Sequence, residues 1–143
     1  MYHYTESGLQ NVWLVNGYKS AKTPYGDAVV INDIPTLHAA IGRTIAQSPR
    51  LTGSELRFLR KEMDLSQTSF AQLIGVTEQN VSLWERKGRM PKTADRLVRL
   101  LYREHVDKNV NVLKLIKSVK DLDDAPETRI LLKQTKGVWP KAA

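Results

Sequence analysis

A chain of 143 residues with 41% apolar and 26% charged side chains is long enough to bury a core and too apolar for wholesale disorder. The absence of cysteine excludes a disulfide scaffold, a thiol nucleophile and thiolate zinc sites, and His3, His38 and His105 are too scattered to form a metal-spaced pair. A balance of 22 basic against 15 acidic residues, net +7, favours polyanionic partners.

No run approaches the roughly 18 apolar residues of a membrane span. The opening MYHYTESG also lacks a basic-then-apolar leader, so a cytoplasmic protein with no membrane partner is expected. NVWLVNGY (residues 11–18) and DAVVI (27–31), rich in β-branched and aromatic residues, read as two strands able to pair, with KSAKTPYG between them. NDIPTLHAAIGRTIAQ then offers Asn32 or Asp33 as a cap, Pro35 in the first turn, and Leu37, Ile41 and Ile45 at four-residue steps, which predicts a helix of about three turns.

SPRLTG (48–53) breaks the chain and puts a boundary near residue 50. A helix restarts with Thr52 or Ser54 as cap before Leu56, Leu59 and Met63. In SQTSFAQLIG, Ser66 caps, Phe70, Ala71, Leu73 and Ile74 form an apolar face, and Gly75 is placed to end the helix in a left-handed conformation. Thr77 caps a further short helix whose inward residues are Val81 and Trp84. The next, KTADRLVRLLYREHV, is entered through Pro91 and is predicted to turn Leu97, Val98, Leu100 and Leu101 inward. VNVLKLIKSVKDLD (110–123) reads as helix, and RILLKQTKGVWP (129–140) as two short strands about Lys136 and Gly137.

Two helices joined by a tight glycine-containing turn, the second thin in apolar residues, form a helix-turn-helix arrangement. The second helix needs one face for packing and leaves the other for a groove. Val81 and Trp84 anchor it, and Thr77, Glu78, Gln79, Ser82 and Leu83 project as base-contact candidates. Gln79 can pair with adenine and Glu78 can accept from cytosine N4, while Thr77 and Leu83 can touch a thymine methyl. Each good bidentate match contributes about 1–3 kcal/mol of discrimination. Glu78 can alternatively pair with Arg86.

Arg86, Lys87, Arg89 and Lys92 follow where the exiting loop would cross phosphates, fixing register without reading sequence. Arg96, Arg99 and Arg103 read instead as the outer face of a soluble helix. Trp84 reads as core, Trp13 and Trp139 as packing or interface residues, and His38 as a partly buried histidine.

The stretch LRKEMDLSQTSFAQLIGVTEQNVSLWERKGRMP resembles the Xre or lambda-repressor-like helix-turn-helix family. The likeness lies in its Ser-Gln opening, Ala71, Gly75, Val81, the Trp84-Glu85 pair and Gly88. It covers about fifty residues, roughly 54 to 103. The resemblance implies that Gln67 contacts backbone phosphate and braces a base-reading side chain, with Ser66, Thr68 and Asn80 as further phosphate contacts. It also implies a largely buried structural ion pair between Arg60 and Glu85. The flank YHYTESGLQNVWLVNGY is similar to the MqsA or YgiT-type group of antitoxin-like regulators, whose amino-terminal domain carries zinc-binding cysteines. This chain has none, with Ser7 where a ligand would fall, so zinc is not carried over and no metal or cofactor is expected.

No Ser, His and Asp arrangement, phosphate-cradling glycine loop or metal pair suggests an enzyme, and Asp121, Asp123 and Asp124 read as a loop. The fold expected is mostly α with small β elements. A helix-turn-helix domain over 51–105 is flanked by an N-terminal β/α segment over 1–50 and a C-terminal helix plus β-hairpin over 106–143. The function expected is that of a transcriptional regulator, a repressor acting as a homodimer on an inverted-repeat operator through helix 77–86. The dimer surface falls in the fourth domain helix or after residue 105. The alternative is an antitoxin-type protein that holds a toxin or other protein partner through its amino-terminal segment and autoregulates its operon.

Overall fold

The computed structural model describes residues 1–120 and 129–140. Capping and glycine stops divide the helical part of the chain. The first helix, α1 (Ile34–Ala46), opens on Asp33, whose carboxylate accepts from the Thr36 amide, with Pro35 in the first turn. A capping box opens α2 (Gly53–Glu62): the Thr52 hydroxyl accepts from the Glu55 amide at 3.2 Å, and the Glu55 carboxylate accepts from the Thr52 amide at 2.9 Å. Ser66 caps α3 (Gln67–Ile74) and Thr77 caps α4 (Glu78–Lys87). These two helices end on Gly75 and Gly88, at φ 76° and 74°, where a left-handed residue releases the last carbonyls from the helical path.

A long helix, α5 (Lys92–Val106), and a shorter one, α6 (Val110–Lys120), complete the bundle, with α6 packed on α3 and α5. No helix among the described residues is long and apolar enough to cross a membrane.

A single apolar interior runs through these elements. Leu56, Leu59, Phe70, Val81 and Val98 are fully enclosed. Leu9 and Leu14 from the amino-terminal segment, Ile41 and Ile45 from α1, and Ile116 from α6 belong to the same cluster. α1 reaches α5 by close approach: a Cβ on Gly42 would lie 1.9 Å from the Tyr102 hydroxyl oxygen, so that position admits only glycine without a shift. Burial pushes the Tyr102 hydroxyl up to about 12.

The β elements are small and differ in extent from the sequence reading. β1 (Tyr2–His3) pairs antiparallel with β2 (Trp13–Leu14), so only two residues of the 11–18 run form that strand. β3 (Tyr18–Thr23) passes through the stretch read as a connector and pairs with β4 (Gly26–Ile31), Tyr18 facing Ile31 and Thr23 facing Gly26. The turn explains the difference. With Pro24 and Tyr25 as a two-residue loop and the Thr23 hydroxyl donating to the Gly26 carbonyl, the register makes the largely polar residues 19–23 the partners of 26–30.

Two further expectations are corrected. Leu97 and Leu100 face outward, 37% and 56% exposed, because Ala94, Asp95, Val98, Leu101 and Tyr102 supply the inward stripe of α5. The carboxy-terminal hairpin is a single bridge, Thr135 to Val138, around left-handed Lys136 and Gly137. Ile130, Leu131 and Leu132 beside it are exposed, and an apolar run without a surface to pack on does not extend a ladder. Of the helix read over 110–123, residues 110–120 form α6, and its remainder, with Asp121, Asp123 and Asp124, lies outside the described residues.

Candidate nucleic-acid interface

α3 and α4 are joined by Gly75, Val76 and Thr77, and α4 is pinned by the two apolar residues that its sequence provides, Val81 fully buried and Trp84 7% exposed. At roughly 100° per residue, Gln79, Ser82, Leu83 and Arg86 fall on the side opposite those two pegs. Gln79, Leu83 and Arg86 are exposed and Ser82 is half-buried, while Thr77, Glu78, Asn80 and Lys87 lie exposed at the flanks and start of the helix. The outward arc is therefore an uncharged hydrogen-bonding edge ending in a cation.

Local chemistry narrows what each side chain can do. The Thr77 oxygen accepts from the Asn80 amide, which leaves its hydrogen free to donate. Ser66 spends both capacities locally, accepting from the Ser69 amide and donating to the Ser69 hydroxyl. Glu78 stands in the first turn, where the helix dipole favours an anion. It does not pair with Arg86, whose Nε points back to the Ser82 carbonyl at 3.4 Å. Thr68, Arg89 and Lys92 are exposed.

Beneath the arc, Arg60 of α2 holds the end of α4 with a two-pronged contact, Nε to Glu85 Oε2 at 3.0 Å and Nη2 to Oε1 at 2.9 Å. The two side chains are 9% and 5% exposed. Arg60 Nη1 also donates to the Leu65 carbonyl at 2.8 Å, so one guanidinium ties α2, the turn before α3, and α4. Gln67 donates its amide to Glu85 Oε2 at 3.4 Å, a bond within the protein that the sequence did not suggest.

Sequence reasoning missed two further supports. Gly53 sits against the carbonyls of Trp84 and Glu85, a close approach that only a residue without a side chain permits. Asp95 and Arg99 form a second enclosed ion pair at 2.6 Å, 12% and 13% exposed, where the sequence suggested an outward-facing arginine. Arg99 also donates to the Ala46 and Ser48 carbonyls, and Asp95 Oδ2 accepts from the Leu51 amide at 3.0 Å. Burial raises the Asp95 carboxyl, but the Arg99 and Leu51 hydrogen bonds and the charges of Arg99 and Arg96 outweigh it and hold the group below its usual 3.8. The i, i+4 spacing of Asp95 and Arg99 was the available signal.

A turn-linked helix pair with a pegged second helix and an outward polar arc is the arrangement that reads duplex DNA. Residues 56–101 match the helix-turn-helix family model. An Xre-type helix-turn-helix domain thus runs from α2 into α5 over residues 56–101, a DNA-binding domain typical of non-enzymatic regulators. Neither the curated proteins nor the solved structures gave a match to the chain. Among the described residues, no group of three or more histidines and carboxylates could hold a metal ion.

Proposed function

We propose that the protein is a sequence-specific transcriptional repressor that binds an inverted-repeat operator as a homodimer, with α4 in the major groove. The observation that carries this reading is the arc of α4: Gln79, Ser82 and Leu83 lie opposite the buried Val81 and Trp84. Thr77 and Glu78 at the helix start complete the base-contact set. Gln67, Thr68, Asn80, Arg86, Lys87, Arg89 and Lys92 supply the phosphate contacts, and Ser66 joins them only by releasing the Ser69 hydroxyl. One such helix touches few base pairs, so a dimer on half-sites about 34 Å apart, or a multiple, supplies the discrimination. Enrichment of duplexes from a random pool by the full-length protein is expected to return an inverted repeat with that spacing. A pool that stays random refutes the reading. A reporter behind the enriched site should be silenced by the protein, and activation would refute repression.

A second reading, an antitoxin-type protein holding a partner through its amino-terminal segment, is supported by one feature. Trp13, 53% exposed, stacks on His3 at 4.0 Å and borders an apolar groove with Leu9, Val12, Leu37 and Ala40. Stoichiometric co-purification of a small partner with the native protein, lost in Trp13→Ala, would favour it.

A further inference from the structure

Resting on the DNA-binding reading above, we infer that Arg50, in the segment before the helix-turn-helix domain, is a phosphate-contact residue. With Arg96 of α5 it extends the cationic surface of the α4–α5 loop across the backbone. Two adjacent clefts share Arg50. One brings it beside Arg86 and Lys87 at the end of α4, and the other beside Lys92 and Arg96 at the start of α5. The same positive charge therefore converges from two separate stretches of chain.

Among the described residues this charge is uncompensated. The carboxylates lining these clefts are Glu85 and Asp95. Each is turned inward and already committed, Glu85 to Arg60 and Asp95 to Arg99 and the Leu51 amide. Among the described residues Arg50, Arg86, Lys87 and Lys92 enter no ion pair. Arg96 feels Asp95 only through space. A merely solvated helix face interleaves its charges with opposite ones, whereas here the acids are spent internally and the cations remain.

The position of Arg50 is also fixed before any ligand arrives. Arg99 takes the Ala46 and Ser48 carbonyls, and Asp95 takes the Leu51 amide, so the backbone is tethered to α5 on both sides of residue 50. Leu51 is buried as the anchor next to it, and Arg50 is exposed. A tethered backbone carrying a free guanidinium loses little freedom on meeting a phosphate, and the planar fork suits a phosphate oxygen pair.

The test uses the full-length protein, a duplex it enriches from a random pool and a scrambled duplex of equal length, with binding measured against salt. Arg50→Ala and Arg96→Ala are each expected to weaken both duplexes by the same factor and to make the slope of log affinity against log salt shallower by about 0.9. Arg57→Ala, which removes an exposed cation on α2 outside these clefts, controls for net charge and is expected to leave the slope unchanged. If Arg50→Ala shifts the slope no more than Arg57→Ala while the wild type binds its duplex, the assignment of Arg50 is overturned and the DNA-binding reading stands. If the wild type binds neither duplex, both fall.

Discussion

Gly53 opens α2 within touching distance of the Glu85 carbonyl at the end of α4; a Cβ there would lie 2.2 Å from that oxygen. The obstacle is backbone, so no side-chain rotation relieves it. Gly53→Ala is expected to push the end of α4 away from α2 and to weaken DNA binding and stability together. A melting curve and a binding isotherm unchanged from wild type would show that the contact is dispensable.

Gln79 and Lys92 should separate the two kinds of contact. Gln79→Ala is expected to weaken the enriched duplex selectively, by about 1–3 kcal/mol, and to leave scrambled DNA untouched. Lys92→Ala should weaken both alike and flatten the salt dependence by about one unit. Equal losses on both duplexes from Gln79→Ala would remove it from the base-reading set.

The Arg60–Glu85 pair is enclosed, so breaking it from one side strands a charge. Arg60→Met is expected to cost about 3–5 kcal/mol in urea denaturation, and Arg60→Met with Glu85→Leu considerably less. A double variant no more stable than the single one would mean that the packing of the arginine stem, not the pairing, is what matters.

Asp95 gives a pH dependence of known sign. Its carboxyl is held below 3.8 in the folded protein, so its contribution to stability is fully present above the unfolded value and is lost as pH falls through the folded one. Wild type should therefore lose stability more steeply below about pH 4 than Asp95→Asn. Parallel acid-denaturation profiles would contradict this.

Leu97 and Leu100 stand three apart on the outer face of α5, an apolar pair without cover in the monomer. If the homodimer uses this helix, Leu97→Lys with Leu100→Lys should yield monomers in sedimentation and cost cooperative binding to the inverted repeat. A variant that remains dimeric moves the interface elsewhere.

The helices were legible because their signals are local. Asp33, Thr52, Ser66 and Thr77 cap where side-chain chemistry demands, and Gly75 and Gly88 stop where φ turns positive. What escaped was set by distance. Nothing near Leu97 says that Val98 and Tyr102 already fill the inward stripe. Nothing near Lys19 says that a Pro24–Tyr25 turn fixes its partner as Val30. Arg99 looked like surface because its acceptors, the Ala46 and Ser48 carbonyls, lie some fifty residues earlier in the chain. At the candidate interface, the outward set of α4 followed from two apolar residues spaced by three. The roles of Gly53 and Arg50 needed the packing of α2 against α4 and of the 46–51 segment against α5.

That segment, strapped to α5 at Ala46, Ser48 and Leu51, also joins the amino-terminal part of the chain to the helix-turn-helix domain. Leu9, Leu14 and Ile45 share one greasy interior with Leu56 and Val98. α4 therefore shares its interior with the amino-terminal segment, and a tug on one would be felt by the other. Severing the strap would leave an open apolar wound rather than a free DNA reader.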